Sequence, residues 1–153
     1  MMAIAIFAGV FKHGFQHELS EPGLLLVLWA SNLGGVVSTY FAQRASLVFH
    51  ASGHLERRVD ALIKAQLFLF LAVNVVLGPQ LLFLLVNTAV GLLPVIGMEA
   101  RAFHRGHPGS GWIAGGLSIL IITAAVYAAE LSVGSWLNHV DIAHLMMGVR
   151  AFG

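Results

Sequence analysis

Three stretches of this chain carry no charged side chain for long enough to cross a bilayer. Gly23 to Gln43 is the first, Ala65 to Met98 the second and Pro108 to Ala129 the third. A membrane helix needs about 20 mostly apolar residues to cover a hydrocarbon core about 30 Å thick. The second stretch holds 34 residues, which as one straight helix would measure about 51 Å. It is too long for a single crossing, and Gly78-Pro79-Gln80 lies in its middle. Proline lacks the backbone donor a helix interior needs and disfavours the helical region at the residue before it. The pattern therefore predicts two crossings there, about Asp60–Leu77 and Pro79–Gly97. Two shorter apolar segments, Met1–Phe11 and Trp136–Arg150, cross as well if their polar ends lie in the interface or face protein. The expectation is an all-α, polytopic membrane helix bundle of about six transmembrane helices, forming one domain over residues 1–153.

Composition narrows the picture further. Of 153 residues, 58% are hydrophobic and 10% charged, and mean hydropathy is +0.86. Soluble domains carry about 25% charged residues, so this chain has too few to coat a soluble surface. It contains no cysteine, which excludes a disulfide framework, a cysteine zinc site and a thiol nucleophile. A formal net charge of +1 offers no basic surface for nucleic acid. Met1–Phe11 does not read as a signal peptide, because Lys12 follows the apolar run instead of preceding it.

Charge orients the crossings. With six of them, the loops around 44–64 and 99–107 and the C-terminus share one side. That side collects Arg44, Arg57, Arg58, Lys64, Arg101, Arg105 and Arg150, seven of the eight Lys and Arg residues. Only Lys12 falls on the other. The positive-inside rule assigns the richer side, and with it both termini, to the cytoplasm. The expected location is a membrane of the bacterial inner-membrane type. A single tilted span over 65–98 would put residues 99–107 opposite Arg57 and spoil this separation.

The eight histidines divide between the two ends. The cytoplasmic end gathers His50, His54, His104 and His107 with Glu56, Asp60 and Glu99. His50/His54 and His104/His107 read as solvated interface residues, the second pair inside an ordinary polar loop. The other end gathers His13, His17, Glu18, Glu21, Glu130, Asn138, His139, Asp141 and His144. His13 and His17 are four apart and share a helix face, the spacing with which two histidines grip one metal ion. Asp141 and His144 are three apart and share a face too, whereas His139 lies about 140° around the helix from His144. An acid such as Asp141 on an apolar helix belongs in the bundle interior beside a partner. A carboxylate that orients a metal-ligating histidine would be such an arrangement. Gln66, Asn74 and Asn87 read as interhelical hydrogen-bond partners, and Gly34-Gly35 and Gly115-Gly116 as sites of close helix packing. The Met146-Met147 pair reads as packing.

Two short motifs carry a family resemblance. Gly9-Val-Phe-Lys-His13-Gly-Phe resembles the Gly-Gly-x-x-His-Gly-Phe signature of an uncharacterised bacterial multi-pass membrane family. Trp136-Leu-Asn-His-Val-Asp-Ile-Ala-His144 resembles that family's Phe-Asn-His-Asn-Asp-x-x-His, and Arg150-Ala-Phe-Gly153 its Tyr-Arg-Gly-Ala ending. The layout is similar to that of the alkaline ceramidase and adipoQ-receptor superfamily of seven-helix membrane hydrolases. His144-Leu-Met-Met-Gly-Val-Arg-Ala-Phe resembles the ceramidase His-x-x-x-Gly-x-x-x-Tyr segment. The resemblance implies a seven-helix layout lacking its first helix, with His13 and His144 as zinc ligands. Gly9 stands where the ceramidase motif has serine, and Val140 where it has its other C-terminal histidine. His139 and His17 are the candidates for the third ligand. A rival alignment matches Ser46-Leu-Val-Phe-His50-Ala-Ser, with Asp60 ten residues on, to the ceramidase Ser-x-x-Phe-His-Ala-Thr segment and its aspartate. It would put His50 across the membrane from His144, so the His13 version is the expectation.

Several functions fit this reading. A zinc-dependent hydrolase would take a lipid amide or ester from the bilayer, with Asp141 or Glu130 as base or as the group orienting the water. A haem- or pigment-binding electron-transfer subunit would use histidines from separate helices, although none lies at mid-membrane on facing helices. An accessory subunit of a larger membrane complex would suit the small size. A transporter or proton relay would prefer its titratable groups nearer the midplane.

Overall fold

The computed structural model describes residues 18–129, together with 131 and 142. Its helices are α1 (Glu21–His50), α2 (Gly53–Leu77), α3 (Leu81–His104) and α4 (Pro108–Ala128). No strand occurs among the described residues. All four helices are long and apolar enough to cross a membrane. They correspond to the expected crossings at Gly23–Gln43, Asp60–Leu77, Pro79–Gly97 and Pro108–Ala129. The other two, Met1–Phe11 and Trp136–Arg150, lie outside the described residues except for position 142.

Local chemistry sets the boundaries. Ser20 is the N-cap of α1 and its hydroxyl accepts from the Gly23 amide at 3.4 Å. Glu21 and Pro22 occupy the first turn, where an acid meets the positive end of the helix dipole and a missing N–H costs nothing. At the other end Ala51 is extended, and its amide donates to the Leu47 carbonyl. The break inside the long apolar run falls where proline predicted it. Gly78 ends α2 at φ 79° and ψ 170°, a region open essentially to glycine alone. Pro94 lies inside α3 without ending it.

The helices overrun the apolar windows. Between α1 and α2 only Ala51 and Ser52 are non-helical, so the charged residues Arg57, Arg58 and Asp60 ride on helix, not on a loop. A charge-free window marks what a bilayer tolerates, whereas a helix continues into the interface until a cap stops it.

Burial is inverted relative to a water-soluble protein. Among the described residues, nine polar or charged side chains are buried against seven apolar ones. Leu26, Phe49, Val76 and Trp112 are each more than 70% exposed. Hydrocarbon solvates such a surface and offers nothing to a polar group, so polar side chains turn inward. These are the properties of an integral membrane protein.

The described helices divide into two compact units, one ending at Gly91 and one beginning at Leu92. The first holds α1, α2 and the first half of α3. The second holds the rest of α3 and α4, with Val95, Ala102 and Leu117 among its buried apolar residues.

Candidate functional site

Polar chemistry in the first unit concentrates where three helices meet. On α1, Asn32, Thr39 and Gln43 follow at intervals of seven and four, so they share a face, and all three are buried. Gln43 donates from Nε2 to Gln66 Oε1 on α2 at 3.1 Å. Gln66 Nε2 in turn donates to Asn87 of α3, to the backbone oxygen at 3.2 Å and to Oδ1 at 3.1 Å. Gln66 therefore receives from one helix and gives to another. Asn87 is 1% exposed, and its Nδ2 finds no partner among the described residues.

Gly91 makes this meeting possible. A Cβ there would stand 2.1 Å from Thr39 Cγ2 and 3.1 Å from Gln66 Nε2. The backbone of α3 thus approaches the amide cluster as closely as a side-chain-free residue permits. Leu84, two turns earlier, packs on Gly35 of α1. The Gly34-Gly35 expectation is met at Gly35, while Gly115 faces open space.

Of the three expected interhelical partners, Gln66 and Asn87 act as such. Asn74 does not: its Nδ2 donates at 2.7 Å to the Phe70 carbonyl of its own helix. It is nevertheless 0% exposed, and its Oδ1 has no partner among the described residues.

An ionic cluster closes the other end of the α1–α2 pair. Asp60 bonds Arg44 across the two helices and pairs with Lys64 one turn on at 2.7 Å. The carboxylate is 18% exposed and the Lys64 side chain 52%, so the group sits at an interface where water competes. This occupies the aspartate of the rival ceramidase-like alignment with two cations. In the same alignment Ser46 is buried and His50, at the end of α1, is exposed. His54, His104 and His107 are exposed as well, and the His107 ring lies 3.2 Å from the Ala102 carbonyl in a helix-ending turn. Glu99 of the second unit is 4% exposed.

Among the described residues no three His, Asp or Glu side chains converge as a metal ion would require. The expected ligands His13, His17, His139 and His144, and the expected catalytic acids Glu130 and Asp141, all lie outside the described residues. The amide cluster was only half legible in the sequence. Gln66 and Asn87 stand out as amides in a charge-free run, but Gln43 looks like the end of a span. Its spacing from Asn32 and Thr39 was the available signal.

Comparison with known proteins bears on the whole chain. No curated protein matches it, and no solved structure does. A family model matches residues 1–152, both histidine-bearing ends included. By that match the chain belongs to the Family of unknown function (DUF6962).

Proposed function

We propose that this protein is a six-crossing membrane protein with a histidine-rich metal site at its non-cytoplasmic end, acting as a zinc-dependent lipid amide or ester hydrolase. One observation carries the reading. The four described helices are separate and joined by short connections, and each suffices to cross a bilayer. An even number of crossings returns the chain to the side from which it started. The segment with His13 and His17 and the segment with Glu130, His139, Asp141 and His144 then attach at one membrane face. Cations support the same arrangement, because Arg44, Arg57, Arg58, Lys64, Arg101 and Arg105 fall at the opposite face.

The donor set suits zinc, which binds neutral imidazole nitrogen. His13 and His144 would be two ligands, and His17 or His139 the third. Zinc bound there would supply an activated water and polarise the substrate carbonyl. Asp141, one turn before His144, would hold the imidazole by hydrogen bond or take the proton of the attacking water. Glu130 is the second acid at that face. Asp60, the acid of the rival alignment, is held instead by Arg44 and Lys64.

The test is hydrolysis by the purified full chain in vesicles that carry a fluorescent N-acyl lipid or its ester counterpart. Expected is fatty-acid release that a chelator abolishes, zinc restores and His144→Ala lacks. Release that persists in His144→Ala, or no release from either lipid, contradicts the proposal. An absorption spectrum of the same sample decides the haem or pigment alternative.

A further inference from the structure

The first unit contains more buried polar atoms than its own hydrogen bonds satisfy. Ser31 Oγ, Asn32 Oδ1 and Ser38 Oγ on α1, Asn74 Oδ1 on α2 and Asn87 Nδ2 on α3 all lack a partner among the described residues. The three amide side chains are 3%, 0% and 1% exposed. Asn32 and Asn74 have spent their donors on their own helices, on the carbonyls of Leu28 and Phe70. Each leaves a carbonyl-type oxygen facing inward.

Register places these atoms along one line. Gln43 bonds Gln66, and Arg44 bonds Asp60, so α1 and α2 run antiparallel with paired residue numbers summing to 104–109. Asn32 and Asn74 sum to 106 and stand at the same level. On α1, Asn32 lies within about 20° of Gln43, which bonds α2; on α2, Asn74 lies within about 40° of Asp60, which bonds α1. Both asparagines therefore face the α1–α2 seam. Gly35 packs on Leu84 of α3, and Ser31 and Ser38 lie on either side of Gly35 on that flank of α1. Asn87 enters the same space, since its Oδ1 accepts from Gln66. The oxygens and the one amide donor thus extend from the Gly78 end of the unit to the Gln43–Gln66–Asn87 cluster.

In hydrocarbon an unsatisfied polar group is costly, and five in one seam outweigh what the cluster's few interhelical hydrogen bonds return. We propose that the seam between α1, α2 and the first half of α3 is a hydrated intramembrane site. Water enters it from the Gly78 end and reaches the amide cluster. Water fits because it offers the donors that the Ser31, Asn32, Ser38 and Asn74 oxygens need and the acceptor that Asn87 needs. Among the described residues no charged side chain of α1 between Glu21 and Arg44, or of α2 between Lys64 and Gly78, lines the seam, which disfavours an ionic occupant. The inference is independent of the metal reading, which concerns other residues.

The native chain has no cysteine, so single cysteines report without background. Ser31→Cys and Ser38→Cys are nearly isosteric. Leu26→Cys and Leu82→Cys, at positions 71% and 63% exposed on the apolar surface, are the lipid-facing comparison. Each full-length variant is reconstituted in vesicles and treated with methanethiosulfonate ethylammonium, and with silver ion as a reagent of near-water size. The expected result is labelling at positions 31 and 38 at least about tenfold faster than at 26 and 82, as thiolate chemistry requires water. Equal rates at seam and lipid-facing positions with both reagents would overturn the proposal. As a second measurement, adding Asn74→Leu to the Ser38→Cys variant should slow its silver labelling severalfold; faster or unchanged labelling counts against the hydrated seam.

Discussion

Gln66 is the residue on which the first unit's interior depends most, because it accepts from α1 and donates to α3. Gln66→Leu removes all three bonds and takes from the Gln43 amide and Asn87 Oδ1 the partner that Gln66 gives them. Interhelical hydrogen bonds in membranes average about 0.6 kcal/mol, but an orphaned buried group costs about 1–3 kcal/mol. The second effect wins, so thermal unfolding in detergent should show a loss nearer to about 2 kcal/mol than to about 0.6. An unchanged melting temperature would place the cluster's bonds outside the stabilising interactions. Gly91→Ala tests the close approach of α3. Its new methyl group collides with Thr39 Cγ2, and such overpacking costs about 1–3 kcal/mol. Thr39→Ser removes that carbon, so the double variant should recover most of the loss if the clash is the cause. At this scale the sequence was partly readable. Gln66 and Asn87 announce themselves as amides among apolar neighbours. Asn74 does so equally but bonds its own helix, because which way an amide turns depends on what faces it.

At the scale of elements, punctuation was the most legible signal. Gly78-Pro79 divides the long apolar run where proline chemistry requires, and Gly78 adopts a conformation that a side chain disfavours. Gly78→Ala should cost about 1–3 kcal/mol, seen as a lowered midpoint in thermal unfolding, while the same change at the exposed, helical Gly115 should be neutral or stabilising. The ends of α1, α2 and α3 were less legible, because each helix runs past its apolar window until a cap or turn stops it. Asp60, Arg44 and Lys64 lie on such an extension. Their exposure to water makes such ion pairs weak and sensitive to salt. Asp60→Asn should therefore lower stability by less than Gln66→Leu, and high salt should shrink the difference from wild type. A larger, salt-independent loss would mean that the cluster is shielded from water.

At the scale of the whole molecule, the inverted burial pattern and the four apolar helices follow from the 58% hydrophobic composition. The order of the four apolar helices was legible too, since each is built on a charge-free run between cations or beside a proline. Reporter fusions test the topology directly. Fusions after Ser52 and Gly106 should behave as cytoplasmic, and fusions after Pro79 as external. Agreement of all three on one side contradicts alternate crossing. The proposed metal site rests on residue types and spacing alone, because whether residues from the two ends of a chain meet is decided by folding and not by any local pattern. Its occupancy is measured most directly by elemental analysis of the purified full-length protein. The proposed site predicts about one zinc per chain, lost in His144→Ala and retained in His107→Ala. A metal-free native protein, or zinc unchanged in His144→Ala, would contradict it.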